Sequence, residues 1–397
     1  MRLASSVSAR PGFVAGNRLS LLESGSEYFP ALIAAIDAAR HEVHLESYIF
    51  ADDTTGRRVA AALASAARRG VAVRVLVDGF GARDFAAGIG AALVAAGVEV
   101  MTYRPEAGRY RFRRHRLRRL HRKLATVDGR IAFVGGINVI DDFDDGASAA
   151  ARFDYAVAVE GPLVARIHAD VRHVWRLVRW ASLGRRPPPP AALPVVPPVS
   201  GTTLAALVIR DNLRHRRDIE HAYLQAIHLA RHEILISNAY FLPGRRFRKV
   251  LLAAAKRGVA VKLLLQGQTD HILLHYATQS LYDRMLTAGV RVFEYEAAQL
   301  HAKVAVIDGD WATVGSSNID PFSLLLSREA NLVVRDAGFA GELRTSLEAA
   351  IAGAAREIRA ADHRRRSWLT RMVTGAAYSL VRLLIGVTRY AGKQYAD

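Results

Sequence analysis

Cysteine is absent from this 397-residue chain. That excludes a disulfide scaffold, a thiolate zinc site, a cysteine nucleophile and an iron–sulfur cluster. Lysine is scarce: Lys123, Lys249, Lys256, Lys262, Lys303 and Lys393 are the whole set, so arginine supplies 49 of the 55 basic residues. Long apolar runs are missing too. None approaches the roughly 18 residues of a membrane-crossing helix. Met1–Phe13 has no apolar segment of the signal-peptide kind, so no leader is expected. Acidic residues number 37, which leaves a net charge of +18. Such an imbalance points to a polyanionic partner, either nucleic acid or an anionic membrane surface, and charge alone does not choose. Apolar residues make up 51% of the chain, which excludes wholesale disorder, and the length suits two or three domains.

The sequence repeats itself. Arg40–Phe50 matches Arg231–Phe241 at an offset of 191, and Arg69–Val77 matches Arg257–Leu265 at 188. Ala96–Val100 matches Ala288–Val292 at 192, and His121–Gly129 matches His301–Gly309 at 180. Four matches in one order mark a duplicated domain. Within each half, helical and strand-like stretches alternate: Ala31–Arg40 and Arg57–Arg69 carry helical spacing, while Glu42–Phe50 and Val71–Val77 read as strands. Alternation of this kind predicts an α/β sandwich with a mixed or largely parallel sheet. Seven prolines between residues 185 and 198 predict a stiff linker. The expected organisation is therefore a first domain over 1–184, a linker over 185–200, a second domain over 201–360 and a basic tail over 361–397.

The chemistry-bearing pattern also occurs twice. It reads His121-x-Lys123, Asp128, Gly135-Gly136-x-Asn138 in the first half and His301-x-Lys303, Asp308, Gly315-Ser316-x-Asn318 in the second, with identical spacing. On a strand, residues two apart face the same side, so each histidine projects with its lysine. A Gly/Ser loop and an amide follow a return strand. The lysine charge opposes a metal cation, and no metal or other cofactor is expected. The set suits a phosphate instead, with Lys123, Lys303, Asn138, Asn318 and the Ser316 hydroxyl available to its oxygens. One imidazole can attack phosphorus while the other protonates the leaving alkoxide, so neither half is complete alone. Asp128 and Asp308 admit two readings: Asp-Gly is a tight hairpin signal, or the carboxylates belong to the reacting set.

The doubled His-x-Lys-x4-Asp motif resembles the phospholipase D superfamily. The likeness runs from about Asn17 to Asp336. More narrowly, His301–Gly309, Gly315–Pro321 and Glu329–Val334 are similar to bacterial cardiolipin synthases, as are His121–Lys123 and Gly135–Asn138. The resemblance implies two pseudo-symmetric phospholipase D-like α/β/α halves sharing one active site. It implies a phosphohistidine intermediate, with the phosphatidyl group of one phosphatidylglycerol passing to another; the alternative is another phosphatidyltransferase or a phospholipase D hydrolase, and after these a phospholipase D-type nuclease. It makes His121, Lys123, Asp128, His301, Lys303 and Asp308 the catalytic set, with His121 as nucleophile and His301 as acid and base. The family also supplies a carboxylate to orient each histidine. Glu329 holds that position in the second half and Asp154 in the first. Glu46, mid-strand, is a further asymmetric candidate, because its repeat partner is Ser237.

Two basic segments bear on the partner. Nine arginines lie between Arg104 and Lys123, interleaved with Tyr103, Tyr110 and Phe112. That stretch suits lipid headgroups or nucleic-acid phosphates. The tail discriminates better. On a helix from Trp368 to Tyr390, one face carries Leu369, Met372, Val373, Ala376, Leu380, Leu383, Leu384 and Val387, with Arg371, Arg382 and Arg389 opposite. This is the pattern of an interfacial amphipathic helix or of a helix docked on the domain. The resemblance implies phosphatidylglycerol as partner, and the tail adds a membrane surface in preference to nucleic acid. The expected place is the cytoplasmic face of a bacterial inner membrane, attached peripherally.

Overall fold

The computed structural model describes residues 12–105, 118–143, 151–183, 201–268, 272–321, 323, 326–361 and 367–387. The proline-rich linker and most of the Arg104–Lys123 stretch lie outside the described residues.

In the first half, the apolar run after Gly70 forms the strand β3 (Ala72–Asp78), which pairs in parallel with β2 (Glu42–Ser47) and β4 (Glu99–Tyr103). The strand β5 (Lys123–Val127) runs antiparallel to β2 and turns into β6 (Ile131–Gly135). Asp128 and Gly129 make that turn with φ of 51° and 63°, the left-handed region that a tight hairpin needs. β7 (Tyr155–Glu160) and β1 (Val14–Glu23) complete the half. The second half repeats the arrangement. Parallel β9 (Glu233–Asn238), β10 (Ala260–Gln266) and β11 (Arg291–Tyr295) lead to the hairpin of β12 (Lys303–Ile307) and β13 (Trp311–Gly315). β14 (Glu329–Arg335) and β8 (Thr203–Arg210) then pair antiparallel, and Asp308 and Gly309 turn the second hairpin at φ of 51° and 71°.

β1 also pairs with β8, through a register shift between Val14 and Asn17. The strands thereby form one 15-stranded order that reads as a near-palindrome about the β1–β8 junction, with β15 (Ala355–Glu357) added at one edge. β6 and β7 lie over β13 and β14. Val134, Tyr155 and Val157 pack with Val304, Val314 and Leu332 in one shared core, so the two halves are joined by burial as well as by hydrogen bonds.

Helices cover the outer faces. α1 (Ser24–Asp37) begins seven residues before the sequence suggests and carries Pro30 within it. Its buried face of Tyr28, Phe29, Leu32 and Ile36 outweighs the proline's local preference. α2 (Thr54–Arg68) is capped by the Asp53 carboxylate, which accepts from Gly56 N–H at 2.6 Å. α3 (Ile89–Ala95) packs on α2 and β4, and α4 (Leu163–Leu183) on the opposite side of that sheet. The second half carries α5 (Asp218–Leu229), α6 (Arg245–Lys256), α7 (Ile272–Gln279), α8 (Tyr282–Thr287) and α9 (Ala337–Ala354). The last helix, α10 (Trp368–Val387), lies on α7.

Candidate active site

The backbone brings the two motifs together across the halves. His121 N–H donates to Arg328 O at 3.0 Å, and Arg328 N–H donates to Arg119 O at 2.7 Å. On the other side, His301 N–H donates to Phe153 O at 2.8 Å, and Phe153 N–H to Gln299 O at 3.0 Å. These are short parallel bridges, Leu120 with Arg328 and Phe153 with Leu300. Each places a motif histidine beside the residue that opens the other half's last central strand.

The carboxylates therefore cross over. His121 Nδ1 lies 3.0 and 3.1 Å from the two oxygens of Glu329. His301 Nδ1 lies 2.5 Å from Asp154 Oδ2. Each half's carboxylate meets the other half's histidine, because the bridges above pair segments of opposite halves. A carboxylate accepts from Nδ1–H, so each imidazole is left with its lone pair on Nε2. The carboxylates are fully buried, while the histidine side chains keep 16% exposure each, enough for a substrate to reach them.

Lys123 Nζ donates to the His121 carbonyl at 2.6 Å, and Lys303 Nζ donates to the His301 carbonyl. Lys303 also lies 3.7 Å from Asp154. Burial and the neighbouring lysine charges push both imidazoles below their ordinary value, His301 to about 3. Burial, aided by Lys303, lowers Lys123 to about 7. Both imidazoles are thus held toward the neutral form in the free site.

The Gly136/Ser316 departure from the repeat has a steric cause. A Cβ at Gly136 would stand 2.4 Å from Asp154 Oδ1, so only glycine leaves that carboxylate its place. In the second half Ser316 fills the matching position and its hydroxyl donates to Glu329 Oε2 at 2.5 Å. Ser316 is fully buried and acts on His121 through Glu329. Asn138 and Asn318 are buried at the ends of the return strands. Asn138 Oδ1 accepts from Ile49 N–H at 3.1 Å, and Asn318 Oδ1 has no partner among the described residues.

Other expected residues are placed elsewhere. Asp128 accepts from the N–H groups of Arg40, His41 and Glu42, each at 2.8 Å. Asp308 does the same for Arg231, His232 and Glu233 at 2.8, 2.8 and 3.0 Å. Each sits seven residues past its histidine, on the order of 20 Å along a strand. They staple the hairpin to the start of the neighbouring strand, and the structure does not bring them to the histidines. Glu46 also misses the site. It lies on the α4 side of β2, where Arg122 Nε donates to its Oε2 at 2.5 Å and Arg122 Nη1 meets Asp170 at 2.6 Å. Strand alternation sends Arg122 to the face opposite Lys123.

Three contributors escaped the sequence reading. The Tyr48 ring stands edge-on to His121 at 4.9 Å and 5.4 Å below Lys123 Nζ. Asp78 Oδ2 and Gln266 Oε1 accept from Leu120 and Leu300 N–H, both at 2.8 Å, and so fix the residue before each histidine. Asp78 and Gln266 share one repeat position at the ends of β3 and β10, a signal present in the aligned halves. Among the described residues, no group of three His, Asp or Glu side chains is arranged to hold a metal ion.

The family described as "Cardiolipin synthase, PLD-like domain" matches residues 32–175 and 223–351. The chain is 38% identical over 377 residues to cardiolipin synthase B of Escherichia coli K12, covering 92% of this chain and 88% of that one. It is 32% identical to cardiolipin synthase A of Cronobacter sakazakii, over 83% of this chain and 68% of that protein. In fold it is similar to the phosphatidylserine synthase of Haemophilus influenzae, with a TM-score of 0.65, 13% identity and 96% of each chain covered.

Proposed function

This chain belongs to the cardiolipin synthase family of PLD-like domains, and on that premise we propose that it moves a phosphatidyl group from one phosphatidylglycerol to another. The observation that carries the reading is the crossed pair, His121 on Glu329 and His301 on Asp154, with two buried lysines beside them. His121 Nε2 attacks phosphorus of the first phosphatidylglycerol. The bond from phosphorus to the headgroup glycerol breaks, and protonated His301 gives that oxygen its proton, releasing glycerol. His301 then takes the proton from the primary hydroxyl of a second phosphatidylglycerol. That oxygen attacks the phosphohistidine, the P–N bond breaks, and cardiolipin leaves with His121 restored.

Binding of the phosphate brings negative charge beside His301, which raises its proton affinity from the low value of the empty site and equips it as the acid. Lys123, Lys303 and the amides of Asn138 and Asn318 hold the non-bridging oxygens. Ser316, Glu329 and Asp154 keep the imidazoles in the productive tautomer. Asp128 and Asp308 hold the turns that aim β5 and β12.

The substrate lives in a bilayer, and α10 supports a membrane-attached enzyme. Among the described residues no helix is long and apolar enough to cross a membrane. α10 docks through its small side, with Thr374, Ala377 and Val381 buried, while Leu369, Met372, Val373, Leu380, Leu383 and Leu384 are 45–63% exposed. A helix that turns six large apolar side chains to solvent while already docked suits insertion at a lipid interface. Purified protein with phosphatidylglycerol vesicles in EDTA should yield cardiolipin and free glycerol. Phosphatidic acid as sole product would make water the acceptor and the protein a phospholipase D hydrolase.

A further inference from the structure

A second basic feature lies away from the reacting groups. α6 opens with Arg245, Arg248 and Lys249, and Arg284 of α8 faces them across a groove of about 280 Å³ with Leu252 and Met285 on its lining. No described ion pair involves any of the four cations, and Arg245, Lys249 and Arg284 are exposed. Arg248 Nη1 donates to Tyr378 Oη at 2.8 Å and so ties the groove to α10. The groove and α10 are thus joined through the Arg248–Tyr378 contact. The groove lies at the reactive edge of the sheet, since α6 begins seven residues after Asn238, the partner of Lys303 at the end of β9.

The duplication supplies an internal control. α2 occupies the place of α6 in the first half. It opens Thr54, Thr55, Gly56; its Arg57 pairs with Asp52 at 2.7 Å, Arg58 is exposed, and the positions matching Arg248 and Lys249 are Ala60 and Ala61. α3, in the place of α8, is Ile89–Ala95 and carries no charge. The cationic groove therefore belongs to the half that bears the exposed apolar helix, which an overall arginine excess does not explain.

We propose that this groove binds the headgroup phosphate of an anionic phospholipid lying in the bilayer, at a site separate from the reacting histidines. The cations take the phosphate, the apolar lining takes the adjoining glycerol and upper acyl carbons, and α10 inserts beside it. The inference rests on the reading that α10 meets a membrane. It predicts that the enzyme is anchored and oriented by a lipid it does not transform.

The test uses the full chain carrying R245Q, K249Q and R284Q together, and a control carrying R58Q, R68Q and R130Q, exposed arginines of the first half with the same loss of charge. Binding is measured by co-sedimentation with phosphatidylcholine vesicles, with and without phosphatidylglycerol. Activity is measured on dispersed short-chain phosphatidylglycerol. At about 1 kcal/mol per cation, the groove variant should bind anionic vesicles roughly 100-fold more weakly. It should keep its turnover of dispersed substrate, and the control should bind as the parent does. Equal binding by groove variant and parent overturns the proposal, as does equal weakening by the control, which would make the effect one of total charge. A parent with no preference for anionic vesicles also overturns it. In that case cardiolipin formed from dispersed substrate would leave the catalytic reading standing.

Discussion

On the face of the first half that α4 covers, Glu42, His44, Glu46, Arg122, Thr126 and His168 lie side by side, all buried. Glu42 meets His168 at 2.7 Å and His44 at 3.3 Å, and Arg122 bridges Glu46 and Asp170. The matching positions of the second half hold Leu235 for His44, Ser237 for Glu46, Ala302 for Arg122 and Val306 for Thr126. Leu235, Ala302 and Val306 are core residues there, packed with Leu343 and Leu347 of α9. The two halves keep the same His-x-Lys pairs at the same strand positions and back them with different materials, although Glu233, the match of Glu42, keeps ion pairs with Arg344 and Lys262. Phosphoryl chemistry fixes the histidine, lysine and carboxylate. The layer behind must fill space, which an ionic layer and an apolar one both do, and among the described residues each leaves buried polar atoms without a hydrogen-bond partner, Glu46 Oε1 and Arg122 Nη2 in the first half and Ser237 Oγ in the second. Desolvation makes the ionic layer a poor source of stability, so its effect should lie in holding the His121 strand to β2 and α4.

The largest effect should come from breaking the shared part. His121→Ala and His301→Ala should each lower turnover by about 10⁴-fold or more, because groups that act as a unit fail together. Phosphorus-labelled phosphatidylglycerol, quenched in alkali, separates their roles. Label should accumulate on His301→Ala and not on His121→Ala, since only the former retains the nucleophile. Label on the His121→Ala protein alone would exchange the two assignments.

Next comes the ionic layer. Arg122→Ala leaves the buried Glu46 carboxylate facing the half-buried Asp170 and should cost about 3–5 kcal/mol in denaturant unfolding. Adding Glu46→Ser, which rebuilds the pair found in the second half, should recover part of that loss. A double mutant no more stable than Arg122→Ala would show that the two side chains are not coupled. The pH dependence carries a sign of its own. Burial raises the Glu46 carboxyl to about 7, opposed by Arg122. A folded-state value above the unfolded one means that the folded protein holds the proton more tightly. That contribution to stability is full below pH 4.5 and is lost as pH rises through about 7. Glu46→Gln should therefore remove a decline in stability between pH 5 and 8, read as the difference from the parent at each pH.

The contrast between these layers also marks what sequence can show. The repeat, both hairpins and both His-x-Lys pairs are legible because each is local: an Asp-Gly turn, an alternation of two, a fixed spacing. Glu329 and Asp154 were legible as residues, but their exchange between halves was not. It depends on the bridges of Leu120 with Arg328 and Phe153 with Leu300, which no local pattern encodes. Glu46 reads as a site residue in sequence because an acid in an apolar strand suggests chemistry. Its partner is Arg122, 76 residues away, on the other face. The period of α10 gave its apolar face from sequence alone. That the helix would dock by Thr374, Ala377 and Val381 and turn the leucines outward depends on the surface of α7.

The smallest effects should separate the two turn aspartates. Asp128 and Asp308 make the same three backbone contacts, but Asp128 is buried at 6% exposure and Asp308 is half-buried. Removing a buried acceptor strands N–H donors away from water, whereas at an open turn water replaces it. Asp128→Ala should therefore cost about 2–3 kcal/mol and Asp308→Ala about 1 kcal/mol, both measured by urea unfolding. The backbone N–H groups hold Asp308 below its ordinary value, so its contribution is present above pH 4 and fades as pH falls through its folded-state value. The difference between Asp308→Ala and the parent should shrink in acid accordingly. Turnover per folded molecule should stay within a few-fold of the parent in both variants. A loss as deep as that of the histidine variants would return these carboxylates to the reacting set.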